Sequence, residues 1–573
     1  MSGSIGPIVD MESLPKTPFD LQLSSEKLPL VALPIELPMD LLSGKMQIEA
    51  SASGSPQGVI TSEGRVALDD LVLKDRPDLS GTGSRDIPGK EITLSGPVQY
   101  HLGLNTNVQG LSLEADADMK GMRIAYGEDF KKPSDMPLSI AFKGDLNSGL
   151  IQADSVQFVL RDLVMDGSGS VDISGKISEI SIKLKTKPVS LKGWGSLVPE
   201  VKVYDLEGSA ELAADISGPV DDLTINLAAS SKTASFTMPD SSKDGTATAK
   251  SRAVLDGTEV KINARRQKDV LNGIVLTDIK KGMLQDVAFE DFSGQFQLSP
   301  EDLSIKSFKV KVFEGSVRAT GRYVPQSGKW TASPVFDGIA SGTLLDTLTS
   351  YRGIFSGMFS GDFTLSGLAT EPGIESVEAK GSFNLKNGIW NNFDLAGTVM
   401  DDFWQIKEMA QQAGASREKI DLHNKTSFDL LQATFTMSKG QLLVDPLILN
   451  NIRTSQATDS IARLKGTVDM NARVLDFKGN VTLSQKQSAD LVERTPALSA
   501  LQDKHSRIVL PVRIKGTLVK PLLTLDTKNI NEALARYYTR KGVKRLQEKY
   551  GIPGGTDGTE EMVEELLNGI LGK

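Results

Sequence analysis

Glu179–Lys185 reads EISIKLK. Ile180, Ile182 and Leu184 alternate with Ser181, Lys183 and Lys185. Successive side chains on a strand point to opposite faces, so the segment predicts a β-strand with one dry and one wet side. Ser307–Val312 repeats the pattern, setting Phe308, Val310 and Val312 opposite Ser307, Lys309 and Lys311. From Lys45 onward the text is strand, turn and strand with little interruption.

Short glycine phrases recur between these strands. Leu94-Ser-Gly96-Pro97-Val98 matches Ile216-Ser-Gly218-Pro219-Val220, and Leu365-Ser-Gly367-Leu368 and Ile514-Lys-Gly516-Thr-Leu518 are looser copies. A second phrase begins at Gly169-Ser170-Val171, Gly208-Ser209-Ala210, Gly315-Ser316-Val317 and Gly381-Ser382-Phe383. Read as turns, they predict a sheet that grows by addition along one axis rather than a closed globule. The expected fold is therefore mainly β: an elongated, strongly twisted antiparallel repeat sheet forming a taco-like groove. The proline-bearing stretch Leu28–Leu42 (LPLVALPIELPMDLL) reads as extended or edge structure, since proline cannot donate to a ladder.

Two regions depart from period two. Residues 394–412 (DLAGTVMDDFWQIKEMAQQ) carry Leu395, Val399, Phe403, Ile406 and Met409 at helical spacing, which predicts one inserted amphipathic helix ended by Gly414. Its expected role is to plug an end of the sheet. After Thr527 the tail reads as helical. Asn529–Tyr550 groups Ile530, Leu534, Tyr537 and Tyr538 and carries Arg536, Arg540, Lys541, Lys544 and Arg545. That helix suits an anionic membrane surface or, equally, a solvated cap on the last strand. A glycine-rich segment then leads to a short acidic helix around Met562, Val563, Leu566, Leu567 and Ile570. The expected divisions are an N-terminal β-repeat region over 1–285, a C-terminal β region over 286–528, and the helical tail over 529–573.

Composition narrows the chemistry. The 573 residues carry a net charge of -9, whereas nucleic-acid binding needs a concentrated basic surface, so no nucleic-acid partner is expected. With no cysteine, thiolate metal sites, iron–sulfur clusters, disulfides and thiol nucleophiles are excluded. His101, His423 and His505 are scattered without metal-ligand spacing. In Gly167–Lys176 (GSGSVDISGK) the interval from Gly169 to Gly175-Lys176 is one residue too long for a phosphate loop, and Ile177 stands where Ser or Thr would bind magnesium. The doublets Asp69-Asp70, Asp221-Asp222 and Asp401-Asp402 cannot each span a cleft, because neighbours on a strand point opposite ways. We expect no catalytic residue, no metal, no cofactor and no enzymatic activity.

The C-terminal third carries a resemblance. It opens with Gly381-Ser-Phe383-Asn-Leu385-Lys-Asn-Gly388-Ile389, followed by the helical insert and by Phe428–Leu449 (FDLLQATFTMSKGQLLVDPLIL). Leu464–Leu483 (LKGTVDMNARVLDFKGNVTL) and Ile508–Asp526 (IVLPVRIKGTLVKPLLTLD) complete the series. The order of these four features over about 150 residues resembles the C-terminal region of the AsmA family, bacterial envelope proteins related to bridge-like lipid-transfer proteins. The resemblance implies a periplasmic protein of a Gram-negative envelope, anchored in the inner membrane at full length and concerned with outer-membrane biogenesis. It implies phospholipid, the inner and outer membrane surfaces and other envelope proteins as partners. The N-terminus lacks the basic and apolar regions of a signal peptide, and no stretch reaches the roughly 20 apolar residues of a membrane span. This departs from the family's N-terminal anchor, and we read the chain as truncated there.

An apolar strand face must be covered by packing, by a partner or by lipid. Moving a 16-carbon acyl tail from water onto such a face is favourable by about 12 kcal/mol, at ~0.8 kcal/mol per methylene. A continuous apolar groove lets the tail slide without meeting water. The expected lining is Ile180, Ile182, Leu184, Phe308, Val310, Val312, Phe383 and Leu385, and the expected membrane-facing cations are Arg536, Arg540, Lys541, Lys544 and Arg545. Two other readings stay open: a structural or assembly module whose apolar face is closed by a second layer, and a carbohydrate-active β-solenoid.

Overall fold

The computed structural model describes residues 2–5, 16–30, 40–74, 91–107, 110–175, 177–238, 252–268, 270–349, 352–371, 373–395, 397–399, 402, 425–453 and 459–550. The protein is mainly β, with 68% of residues in strands, and its antiparallel sheet does not close into a barrel. The chain divides into two compact units, Met1–Val310 and Lys311–Lys573.

In the first unit the strands follow one another almost in chain order, each antiparallel to the last. Asp40–Gly54 pairs with Val59–Lys74, which pairs with Glu91–Asn107 and so on to Gly110–Asp118 and Leu138–Asn147. Leu150–Leu160, Leu163–Asp172, Glu179–Thr186, Glu207–Pro219, Asp222–Thr237, Arg252–Gln267, Val270–Leu284 and Val287–Leu298 continue the series. Between Thr186 and Glu207 the chain leaves the ladder through two short 3-10 turns, Trp194–Ser196 and Pro199–Tyr204. There Leu197 is fully buried against Leu138 and Leu160 in a small satellite core.

Many of the glycine phrases turn out not to be turns. Gly169 and Gly381 lie inside strands. A Cβ on Gly169 would sit 2.2 Å from the Ser181 carbonyl oxygen of the next strand, so no side chain fits. Gly96 adopts φ +124° within Glu91–Asn107, a conformation that disfavours any L side chain. The glycines thus serve close strand approach and bulges, while some true turns hide elsewhere. Gln285-Asp286 joins two strands with φ of 49° and 66°, the two-residue turn that usually calls for Asn-Gly.

The second unit begins with the same architecture and then closes. Gly315–Val324, Lys329–Ala340, Phe355–Leu368, Glu378–Asn391 and Lys425–Ser438 pair in order. Gln441–Ile452, Ser460–Asp469, Val474–Thr482, Val509–Thr517 and Pro521–Leu525 extend the ladder. One register row, Leu385, Leu431, Leu449, Ala462, Val481 and Leu510, crosses six strands on one face. All six side chains are buried.

Helices cover that row. The expected insert starts as a helix at Leu395, with Leu395 and Val399 fully buried; its continuation over 403–412 lies outside the described residues. Asp394 caps it, accepting from the Gly397 amide at 2.7 Å, while the Leu395 amide donates to Thr426 Oγ1 at 2.9 Å. The expectation of a single insert misses two more helices, Ser341–Leu348 and Gln485–Arg494. In the second of these, Ser484 caps the first turn by accepting from the Gln487 amide at 3.1 Å, and Leu491 is buried in the core. The tail helix runs Thr527–Tyr550 and docks on the same core through fully buried Ile530 and part-buried Leu534. The second tail helix, around Met562, lies outside the described residues.

The two units therefore differ in how far their apolar faces are covered. Among the described residues, nine hydrophobic side chains are buried in Met1–Val310 against 32 in Lys311–Lys573. Leu510→Ala, at 0% exposure, is expected to cost about 2–5 kcal/mol of stability by leaving a cavity. Leu227→Ala, at 38% exposure, should cost far less, because much of that side chain already meets solvent. Denaturant titration of the two variants checks this, and equal losses would contradict the open face.

Candidate functional site

The site is a sheet face, and the register defines it. In the first unit the row Leu184, Ala214, Leu227, Ile262, Val275 and Phe296 crosses six strands. A second row runs Ile182, Ile216, Ile225, Ala264 and Gly273 to Leu298. On the other side of Glu179–Thr186 the same face continues through Gly167 and Met165 to Phe158, Ile140 and Ala117. These rows are apolar because each strand alternates, and antiparallel register keeps opposed residues on one side. Yet Ile140 and Leu212 are 42% and 45% exposed, and Leu298 is exposed as well. Leucines at that exposure in a sheet row mark a face without a second layer.

The opposite face is polar. The row Lys183, Asp215, Asn226 and Asn263 sits one residue along from Leu184, Ala214, Leu227 and Ile262. Neighbouring strands are tied there by Asp222, which accepts two bonds from Arg265 at 2.7 and 2.6 Å and one from Gln267 at 3.2 Å. These donors pull the Asp222 carboxyl down to about 2. Asp69 is likewise paired with Lys27 at 2.8 Å, and His101 faces Asp116 at 3.5 Å. Of the residues flagged in the sequence, Asp69, Asp222 and His101 are thus held in pairs on the water side, while Asp401 and His423 lie outside the described residues. Gly167–Asp172 is the end of a strand rather than a phosphate loop. Lys132, the one fully buried cation among the described residues, donates to the carbonyls of Lys120, Met122 and Pro133 at 3.1, 2.6 and 3.2 Å and is thereby structural. Among the described residues no group of three His, Asp or Glu could hold a metal ion.

The apolar face is not uniform. Strands Leu163–Asp172 through Arg252–Gln267 frame a depression of about 350 Å³. Among its lining residues Ala214 and Ala229 are the alanines whose register puts them on this face, and leucines 163, 184, 212 and 227 stand around them. The pairing of Glu179–Thr186 with Glu207–Pro219 ends at Lys185 opposite Ala213. Just beyond, the Leu212 amide donates to Thr186 Oγ1 at 2.8 Å instead of to a backbone carbonyl. A register shift between Gly208 and Glu211 follows. The ladder therefore gives way at the edge of the depression without leaving that amide unpaired.

Most of the expected lining residues fall on apolar faces, but they fall in two environments. Ile180, Ile182 and Leu184 share one side and are half-buried, with Lys183 and Lys185 exposed on the other. Phe308 is half-buried and meets Phe292 edge-on at 5.3 Å between ring centroids, next to Ile279 in its row. Val310 is 9% exposed. In the second unit Val312 is half-buried, and Phe383 stacks in an aromatic group with Phe359 and Phe435 at 5.8 and 6.3 Å. Leu385 corrects the expectation: at 5% exposure it belongs to the closed core, because the strands and helices that follow it cover its face. Of the basic tail residues, Arg536, Arg540 and Lys541 are exposed, while the side chains of Lys544 and Arg545 lie outside the described residues. The alanine depression was not anticipated; its signal is the pair Ala213-Ala214 and Ala228-Ala229, small residues in adjoining strands otherwise rich in leucine and isoleucine.

No family model, curated protein or solved structure matches the chain.

The wet-face pairing makes a pH prediction. Because the folded-state carboxyl of Asp222 is depressed, its contribution is present above the ordinary value of 3.8 and is lost as pH falls through about 2. The difference in thermal midpoint between the wild type and Asp222→Asn should hold from neutral pH to near 4 and vanish toward 2. A difference that disappears near neutral pH would contradict the assignment.

Proposed function

We propose that this protein handles lipid, holding acyl chains against the apolar face of Met1–Val310 and working without catalysis. The observation that carries the reading is the row of half-exposed leucines and isoleucines that continues across neighbouring strands of Met1–Val310. An acyl chain on that face exchanges water contact for apolar contact, gaining ~0.8 kcal/mol per methylene, and can move from row to row while staying covered. The adjoining apolar rows support movement along the face better than they support one fixed complex.

The resemblance to the AsmA family sharpens the proposal. It suggests phospholipid as the cargo, the periplasm as the location and passage between inner and outer membranes as the task. The closed core of Lys311–Lys573 favours a second role for that unit, a structural module that needs no lipid to cover it. Its tail helix gives this unit a surface for anionic headgroups: Arg536, Arg540 and Lys541 face solvent while Ile530 anchors the helix to the core. Envelope protein partners are part of the same proposal.

Two experiments test it. A photoreactive residue at position 227 should crosslink acyl chains when the protein is expressed in a bacterial envelope, and one at position 226, on the wet face, should not. Crosslinks from 227 only to the chain itself would sink the lipid reading. Separately, replacing Arg540, Lys541, Lys544 and Arg545 with Gln should weaken binding to anionic liposomes, by about 1 kcal/mol per charge at low salt. Unchanged binding would reduce the helix to a cap.

A further inference from the structure

Resting on the lipid reading, we propose that the alanine depression is a station for a single unbranched acyl chain, and that Ala214 and Ala229 set its selectivity. The register gives its shape. Ala214 lies between Leu184 and Leu227 on the two flanking strands. One row further on, Ala229 lies between Leu212 and Val260. The low point thus shifts diagonally by one strand, and large side chains stand on both sides at each step. Next to Ala214's row, Ile182, Ile216 and Ile225 fill the face and bound the trough.

Width decides the ligand class. Strands lie ~4.8 Å apart, so the two walls at each alanine stand about 9.6 Å apart at the backbone. Carbon atoms in contact need roughly 3.5–4.0 Å, which leaves room between facing leucines for one file of methylenes. A fused-ring lipid is wider than one file and would have to displace Leu184 or Leu227. The volume of about 350 Å³ is at the low end of ligand pockets, ~300–1,000 Å³, which fits one chain rather than a whole two-chain lipid. Alanine at 214 and 229 supplies the depth; leucine there would raise the floor level with its neighbours.

The test uses the full chain and two probes, a fluorescent 16-carbon fatty acid and a fluorescent sterol. The wild type should bind the fatty acid at a saturable site with one chain per protein and prefer it to the sterol. Ala214→Leu/Ala229→Leu should weaken that site at least tenfold, while a photoreactive residue at position 140, elsewhere on the face, still crosslinks lipid. The widening variant Leu184→Ala/Leu227→Ala should narrow the preference over sterol, a readout that does not depend on the filled variant folding. Unchanged affinity in the first variant together with unchanged preference in the second would overturn the station and leave the lipid reading standing. A wild type that binds neither probe and gives no lipid crosslink at 140 or 227 would overturn both.

Discussion

Alternation is the constraint from which the rest follows. A strand with apolar residues at every second position turns one side of its sheet away from water, and something must cover that side. The protein meets the constraint in two ways. In Lys311–Lys573 the row from Leu385 to Leu510 lies beneath helices, with every side chain in it buried. In Met1–Val310 the row through Leu184, Ala214 and Leu227 is built by the same rule and stays half-exposed. The same chemistry at the level of the strand thus yields a packed core in one unit and an open surface in the other.

That difference determines what each unit can do. A packed core resists intrusion, since its interior is dense and each added methylene strains it. An open apolar face lacks such resistance and carries a standing cost of hydration that an apolar ligand removes. The polar side of the first unit keeps charges in pairs across strands, as between Asp222 and Arg265, away from the apolar face. The charges that meet solvent on the tail helix belong to the other unit, where a core anchors the helix that carries them.

Much of the fold was legible because period two is a local property. EISIKLK alone specifies a strand, its two faces and the solvent side of Lys183 and Lys185. The start of the insert was also legible, since Leu395 and Val399 stand at helical spacing. Coverage was not, because it depends on what packs over a face from elsewhere in the chain. Leu385 and Leu184 look alike in sequence, and only the later strands and helices bury the first. The Gln485–Arg494 helix did leave a signal, Ser484 with Gln487 three residues on and Thr495-Pro496 as a stop, hidden between strands of strong alternation. Glycine misled in the other direction: Gly169 is required by a neighbouring backbone, not by a turn, and sequence gives no view of neighbouring strands.

The central claim is that lipid, not protein, covers the apolar face of Met1–Val310. Native mass spectrometry of the protein, extracted gently from a bacterial envelope and compared with the isolated Lys311–Lys573 segment, addresses it most directly. The account predicts that the full chain carries acyl lipid that leaves on activation, while the segment with the closed core carries none. A full chain that flies as bare protein, with its leucine rows covered by a second copy of itself, would contradict it.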